Sequence, residues 1–523
     1  MKNSLTRIAG AGEASAALYE IEHCMLGWRD RQLIIDDVTV IVLDRATIEF
    51  SVEWGKLTFS WWDGERAECW RVIEYSVLPG EVRLLAVRGM GAEKSFFRLR
   101  SPEVLRDQPS TVEAGEMRGR YRALLGSLIA EAYPGARVDR STGGRTQTPE
   151  GMSVPSPYAR LVVRLRNERA LVIGVQSEES KQTVDDIVAA GIVWLRGHNL
   201  RRSRTPASRL AFCLPRGRSS TALERLALID SAKAGAAIDV FEVDETVPEI
   251  VPVRPLAQYE LLNLRPRDLE WPAPAPLDTP WHEALTGPAP DLIEVRVKPF
   301  SRRVSYSING LEFASVGGEG YAECRFGVAG ATDRQYLTGR NLHRLEALIA
   351  EILDRRRAGT PDPRHPFYRL RTEAWLESMI RRDISRLDPS LDERYVYSQI
   401  PAWRGDERSV IDLLSITLDG RLAVIEIKAA EDFHLPLQGL DYWLRIEQAR
   451  VAGELRRRKL FPGVEPADAS PLLFLVAPAL RFHRSFRLVA GCLDPDIEAF
   501  QIGINSSWRD EIRVRTRIRV NGD

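Results

Sequence analysis

The sequence predicts a multidomain α/β protein. Three observations predict it. Apolar strands alternate with helical segments over 158–244, the same alternation returns after residue 361, and period-two segments mark two further β-rich stretches. A chain of 523 residues is long for one core, so about two to four domains are expected. Hydrophobic residues at 44% and charged residues at 28% place it among ordinary globular proteins. No run approaches the roughly 20 uncharged apolar residues that span a bilayer. Glu13, Glu20 and Glu22 interrupt the stretch where a signal peptide needs an apolar run. Five scattered cysteines without a C-x-x-C pair argue for reduced thiols and against a zinc site or disulfide scaffold. The expectation is a cytoplasmic protein without a membrane partner. Basic and acidic residues balance at 73 each, so any nucleic-acid surface must come from local segregation of charge.

Taken in order, residues 1–110 read as a β-rich domain. Ile48, Phe50 and Val52 alternate with polar residues, Leu57, Phe59 and Trp61 repeat the pattern, and Pro79-Gly80 punctuates it. This predicts a small antiparallel sheet or barrel. A helix follows, with Tyr121, Leu124, Leu125, Leu128 and Ile129 on one face. Residues 133–157 read as a long loop. Within 111–250, strands are expected at 161–165, 171–175, 210–214 and 238–243, with helices near 182–195 and 220–234. Nine prolines between 252 and 290 mark a linker over 251–290. A small β domain with a helix occupies 291–360, where Asn309-Gly310 between two apolar runs is a hairpin signal. The last region, 361–523, is α/β.

Chemistry concentrates in Val410–Lys428, which reads as two strands joined by a turn at Asp419-Gly420. Asp412 in the first strand and Glu426 in the second can approach one another. Glu426 and Lys428 are two apart and share a strand face. Ala423, Val424 and Ile425 belong to a buried strand, so a charged pair at its end calls for a reason. Two carboxylates beside a lysine suit Mg²⁺ or Mn²⁺, which prefer oxygen ligands and keep positions for water and phosphate. Only eight of the 73 basic residues are lysines, so a lysine in this place is rarely accidental.

The spacing of Asp412 and Glu426-Ile427-Lys428 resembles the PD-(D/E)xK nuclease superfamily. Gln438-Gly-Leu-Asp-Tyr442 resembles the Q-x-x-x-Y motif of its RecB-like and NucS-like members. Glu373 and Glu377 lie on an upstream amphipathic helix where these families carry a further acid, with Glu377 the preferred of the two. The resemblance covers roughly residues 368 to 502, and departs from the pattern at Ile411, where a proline is usual. It implies a restriction-endonuclease-like α/β/α core. It also implies Asp412, Glu426 and the Ile427 carbonyl as metal ligands, Lys428 for water activation, and Glu377 as auxiliary acid. Gln438 and Tyr442 are then expected to contact DNA or the lysine; packing of Tyr442 and Trp443 against the sheet is equally open.

The segment 158–244 repeats this layout and reads as a degenerate copy, with two unrelated α/β domains of similar buried strands as the alternative. Leu171–Gln176 aligns with Ala423–Lys428, setting Gly174 against Glu426, Gln176 against Lys428 and Arg160 against Asp412. Two such folds in one chain could substitute for a homodimer. Arg513, Arg515, Arg517 and Arg519 alternate along a C-terminal strand, fitting either phosphate contact or a protected edge. Arg201, Arg202, Arg204 and Arg209 form another basic cluster. Trp54, Trp61, Trp62 and Trp70 could stack bases or belong to the core. His434 lies near the site and reads as a solvent-facing or hydrogen-bonding loop residue. Together these features predict a metal-dependent deoxyribonuclease, with a non-catalytic nucleic-acid-binding or scaffold protein as the alternative.

Overall fold

The computed structural model describes residues 6–522 except 9, 26–29, 36–38, 45–47, 54–55, 63–66, 79–80, 89–92, 101–110, 144, 148–152, 201–205, 265–268, 270, 272–274, 277–278, 299–302, 329–331, 333 and 405–406. The Pro79-Gly80 turn, Trp54 and the Arg201, Arg202 and Arg204 cluster lie outside the described residues, as do the Trp62 side chain and part of the proline-rich run. The fold is mixed α/β and divides into two units, each with its own cores. No helix among the described residues is long and apolar enough to cross a membrane.

The first unit comprises Met1–Ala114, Pro274–Arg356 and Thr360–Leu370. Its N-terminal part is an eight-stranded antiparallel sheet. The alternating residues Leu57, Phe59 and Trp61 turn inward against Trp70 and Phe97. Helix Ala11–Cys24 buries Ala14, Ala17 and Ile21 in the same core, a spacing of three and four. Trp61 and Trp70 are 3% and 4% exposed, which favours the core reading over base stacking for these two. Farther along the chain is a five-stranded antiparallel sheet. Its hairpin turns at Asn309-Gly310, whose φ angles of 49° and 71° fit the left-handed turn predicted there. Helix Leu342–Arg355 lays Leu345, Leu348, Ile349 and Ile352 into that core.

The second unit comprises Gly115–Ala273, Arg357–Gly359 and Arg371–Asp523. It holds two α/β halves of one topology. The N-terminal half runs α1 (Thr111–Ala132), β1 (Arg137–Thr142), β2 (Ala159–Arg164), β3 (Arg169–Gly174), α2 (Ile187–Leu200), β4 (Arg209–Pro215), α3 (Ser220–Leu226), β5 (Ala237–Asp244) and β6 (Glu249–Pro252). The C-terminal half runs α4 (Thr372–Arg382), β7 (Leu391–Arg404), β8 (Glu407–Thr417), β9 (Leu422–Ile427), α5 (Leu435–Val451), β10 (Leu472–Pro478), α6 (Phe486–Ala490), β11 (Ala499–Ile504) and β12 (Val514–Arg519). Each six-stranded sheet has its strands in chain order, with only the third, fourth and fifth parallel. A single apolar core, including Ile173, Ile192, Phe212, Leu440, Trp443 and Leu475, joins the halves.

Three expectations change here. Residues 137–142, read as loop, form edge strand β1, and 145–147 pairs with 153–155. Strand β1 is polar and mostly exposed, so it carries no apolar alternation. The proline-rich stretch 251–290 is anchored within the units: Leu261 is buried in the second, Leu285 in the first. The alignment of the two halves also shifts by one residue after the hairpin. The Val175 N–H donates to the Cys213 carbonyl as the Lys428 N–H does to Val476, each acceptor standing two residues before a proline. Val175 therefore matches Lys428, and Ile173 matches Glu426. Arg160, opposite Ile173, still matches Asp412. The cause is turn length, residues 165–168 in one half against 417–421 in the other.

Candidate active site

Strand β9 is buried along its whole length between β8 and β10, and Glu426 near its end is 0% exposed. A carboxylate so placed costs free energy unless something compensates it. Lys428, two residues on, is also buried, and its Nζ lies 3.2 Å from Glu426 Oε1. Asp432 Oδ2 is 3.9 Å from the same ammonium.

Asp412 reaches the site because strands β8 and β9 part there. Leu413 opposite Ile425 is the last pair of their ladder. Beyond it, the Ile427 N–H donates to Asp412 Oδ2 at 2.9 Å. The side chain thus occupies the acceptor role that a strand carbonyl would have had, and the gap in the sheet becomes a polar notch. Glycine at 439 brings α5 close to this strand end: a Cβ there would collide with Leu475 and press towards Glu426. Gly191 is its counterpart in the first half, where a Cβ would collide with Phe212.

Electrostatics bind these groups into one cluster. Burial, opposed by Lys428 and aided by the Glu377 charge, pushes the Asp412 carboxyl up to about 7. Burial, then the Asp412 charge, holds Glu426 well above the usual carboxylate range. Burial draws the Lys428 ammonium down, but Glu426, Glu373 and Asp412 together raise it, so it stays charged. The two helical acids both belong to the cluster. Glu377 is buried and accepts a hydrogen bond from Gln399 Nε2 at 2.7 Å. Glu373, one turn earlier and exposed, acts on Asp412, Glu426 and Lys428 alike.

Gln438 and Tyr442 share one face of α5, with the Gln438 amide donating to the phenol oxygen at 3.1 Å. Tyr442 is only 4% exposed, and burial followed by the Glu426 charge raises its pKa. It therefore backs the carboxylates from inside the protein, which favours packing over direct contact with DNA. Gln438 is half-buried and can face a ligand. The arginine row lies on outer edge strand β12, three strands from β9. Arg513 pairs with Glu511 at 2.5 Å, and Arg517 pairs with Asp388 at 2.6 Å. Arg519 donates to the Pro495 carbonyl, and Arg515 is exposed. The row is thus partly neutralised by carboxylates. His434 makes a polar contact away from the carboxylates, as a hydrogen-bonding loop residue would: its Nδ1 lies 2.8 Å from Asp186 of the first half.

The matching place in the first half holds no such chemistry. Arg160, Ile173 and Val175 stand where Asp412, Glu426 and Lys428 stand, and the Arg160 guanidinium lies 5.8 Å from the centre of the Trp194 ring. Sequence reasoning found every member of the cluster except Gln399 and Asp432. Asp432 was visible as an acid four residues after the lysine; Gln399 carried no sequence signal. Among the described residues no three His, Cys, Asp or Glu side chains gather closely enough to cage a metal. No protein-family model and no curated protein sequence matches the chain.

Proposed function

We propose that this chain is a divalent-metal-dependent nuclease of the PD-(D/E)xK type, hydrolysing DNA phosphodiester bonds at Asp412, Glu426 and Lys428. The observation that carries the reading is the convergence of two desolvated carboxylates and an ammonium where β8 and β9 part. The residues fit a cation: Glu426 Oε2 is buried and accepts no hydrogen bond among the described residues. Asp412, Glu426 and the Ile427 carbonyl would hold Mg²⁺ or Mn²⁺. The bound ion would supply Lewis acidity towards the scissile phosphate and a more acidic water. Lys428, anchored by Glu426, orients that water and offsets negative charge developing on the phosphate oxygens. Glu377 and Glu373 approach from α4, where either can hold a second water. Tyr442 closes the inner wall and keeps solvent out.

Cleavage of matched single-stranded, double-stranded and branched DNA with Mn²⁺ tests this. Wild type should cut at least one substrate, and Asp412→Ala and Lys428→Ala should not. The non-catalytic alternative draws on the first half, which keeps the fold without the carboxylates. It gains if all three proteins bind DNA equally and none cuts.

A further inference from the structure

Strand β7 contains a backbone anomaly directly beside the proposed site. Gln399 has φ of 55°, in the left-handed region, within an otherwise extended strand of fourteen residues. A side chain with a Cβ rarely adopts that region, and Gly or Asn is the usual occupant. The position is specific. Ser398 pairs with Leu413 and Ile400 with Ile411, so Gln399 stands opposite Asp412, and that pair alone is missing from a register that continues unshifted on both sides. From this left-handed residue the Gln399 side chain reaches α4, where its amide donates to Glu377 Oε2 at 2.7 Å. One residue of strained backbone thus connects the strand bearing Asp412 with the helix bearing the auxiliary acid.

We propose that Gln399 is a positioning residue that holds Glu377 towards Asp412, its left-handed backbone being the means of reaching α4. The proposal rests on the nuclease reading above and adds a part to it. The chemistry of an amide suits the role. An arginine or lysine would neutralise Glu377 and compete with a metal-held water for its oxygens. The neutral amide fixes one carboxylate oxygen without adding a charge beside it. A strained residue maintained by its surroundings is characteristic of sites where geometry matters more than stability.

The test compares Gln399→Gly and Gln399→Asn with wild type in the full-length chain. Both replacements relax the left-handed residue, so their melting temperatures should equal or exceed that of wild type. Metal-dependent kcat should fall about 10- to 100-fold, the usual effect of losing a partner that orients a site group, with KM for DNA unchanged. In a Glu377→Ala background Gln399→Gly should cause no further loss, because it acts through Glu377. The proposal is overturned if Gln399→Gly cuts as fast as wild type, melts lower in proportion to its lost activity, or adds its effect to Glu377→Ala. Wild type that cuts no DNA with any divalent metal would instead overturn the nuclease reading, and this proposal with it.

Discussion

Arg225 and Asp441 form a buried two-pronged ion pair that joins the two halves of the second unit, with Nε–Oδ1 at 3.0 Å and Nη2–Oδ2 at 2.8 Å. The remaining Nη1 donates to the Asp185 carbonyl, so the guanidinium is satisfied on both sides. Arg225 lies on α3 and Asp441 on α5, 216 residues apart. Near them the halves meet symmetrically: Ile229 pairs with Leu493, the Asp230 N–H donates to Cys492, and the Asp494 N–H donates to Leu228. Each half presents the segment following its short helix to the same segment of the other. Such reciprocity is the signature of a two-fold interface, here made within one chain.

Breaking that pair should be costly. Asp441→Ala leaves a guanidinium buried without its countercharge, and is expected to destabilise the unit by about 3–5 kcal/mol. Replacing both partners by apolar residues, as in Arg225→Met with Asp441→Leu, should recover most of the loss. Urea titrations of the three proteins measure it. Equal loss in the single and double variants would show that the charges contribute little beyond filling space.

Because the first half occupies the face a second subunit would take and has Arg160, Ile173 and Val175 at the matching positions, one chain carries one candidate site. The proposed nuclease should therefore cut one strand per encounter. On supercoiled plasmid, nicked circles should accumulate before linear product, at a rate linear in protein concentration. Linear product appearing without a nicked precursor would require a second catalytic centre.

Legibility in the sequence followed burial. The hairpin bearing Asp412 and Glu426 was readable because β9 is apolar throughout and its charged end stands out. Asn309-Gly310 was readable because its backbone demand selects those residues. Strand β1 was not, since an exposed edge needs no alternation, and long β7 gave no reading of its own. The one-residue slip between halves arose from unequal turns, which composition does not register. The carboxylate opposing Arg517 was invisible as a partner, because Asp388 lies far upstream in the chain, whereas Glu511 stands only two residues before Arg513. Gln399 was missed because its role depends on a backbone angle.

Removing the proposed metal ligand Asp412 should stabilise the metal-free protein. The Asp412 carboxyl, held up at about 7 mainly by burial, binds its proton more tightly folded than unfolded. Ionising it at pH 8 therefore opposes folding. Without divalent ions at that pH, Asp412→Asn should melt above wild type, by about 2–4 °C for a change near 1 kcal/mol. Adding Mn²⁺ should reverse the order, raising wild type and leaving the variant unmoved. Thermal melts with and without chelator decide the matter; equal metal response in both proteins would exclude Asp412 as a ligand.

The contact of His434 with Asp186 gives the joint between the halves a dependence on pH. Burial lowers the imidazole pKa, but the hydrogen bond and charge of Asp186 outweigh it, with Asp432 adding to them, so the net shift is upward. A histidine whose folded pKa exceeds its unfolded value of about 6.5 stabilises fully below that value. The contribution then fades as pH rises through the folded pKa. The imidazole is partly exposed to solvent, so the contribution should be about 0.5 kcal/mol and at most about 1. Wild type should exceed Asp186→Asn in stability at pH 6, with the difference shrinking towards pH 9. Melts across that range at fixed ionic strength measure it, and a difference that grows with pH would mean that His434 is neutral in the folded protein and that Asp186 acts through another partner.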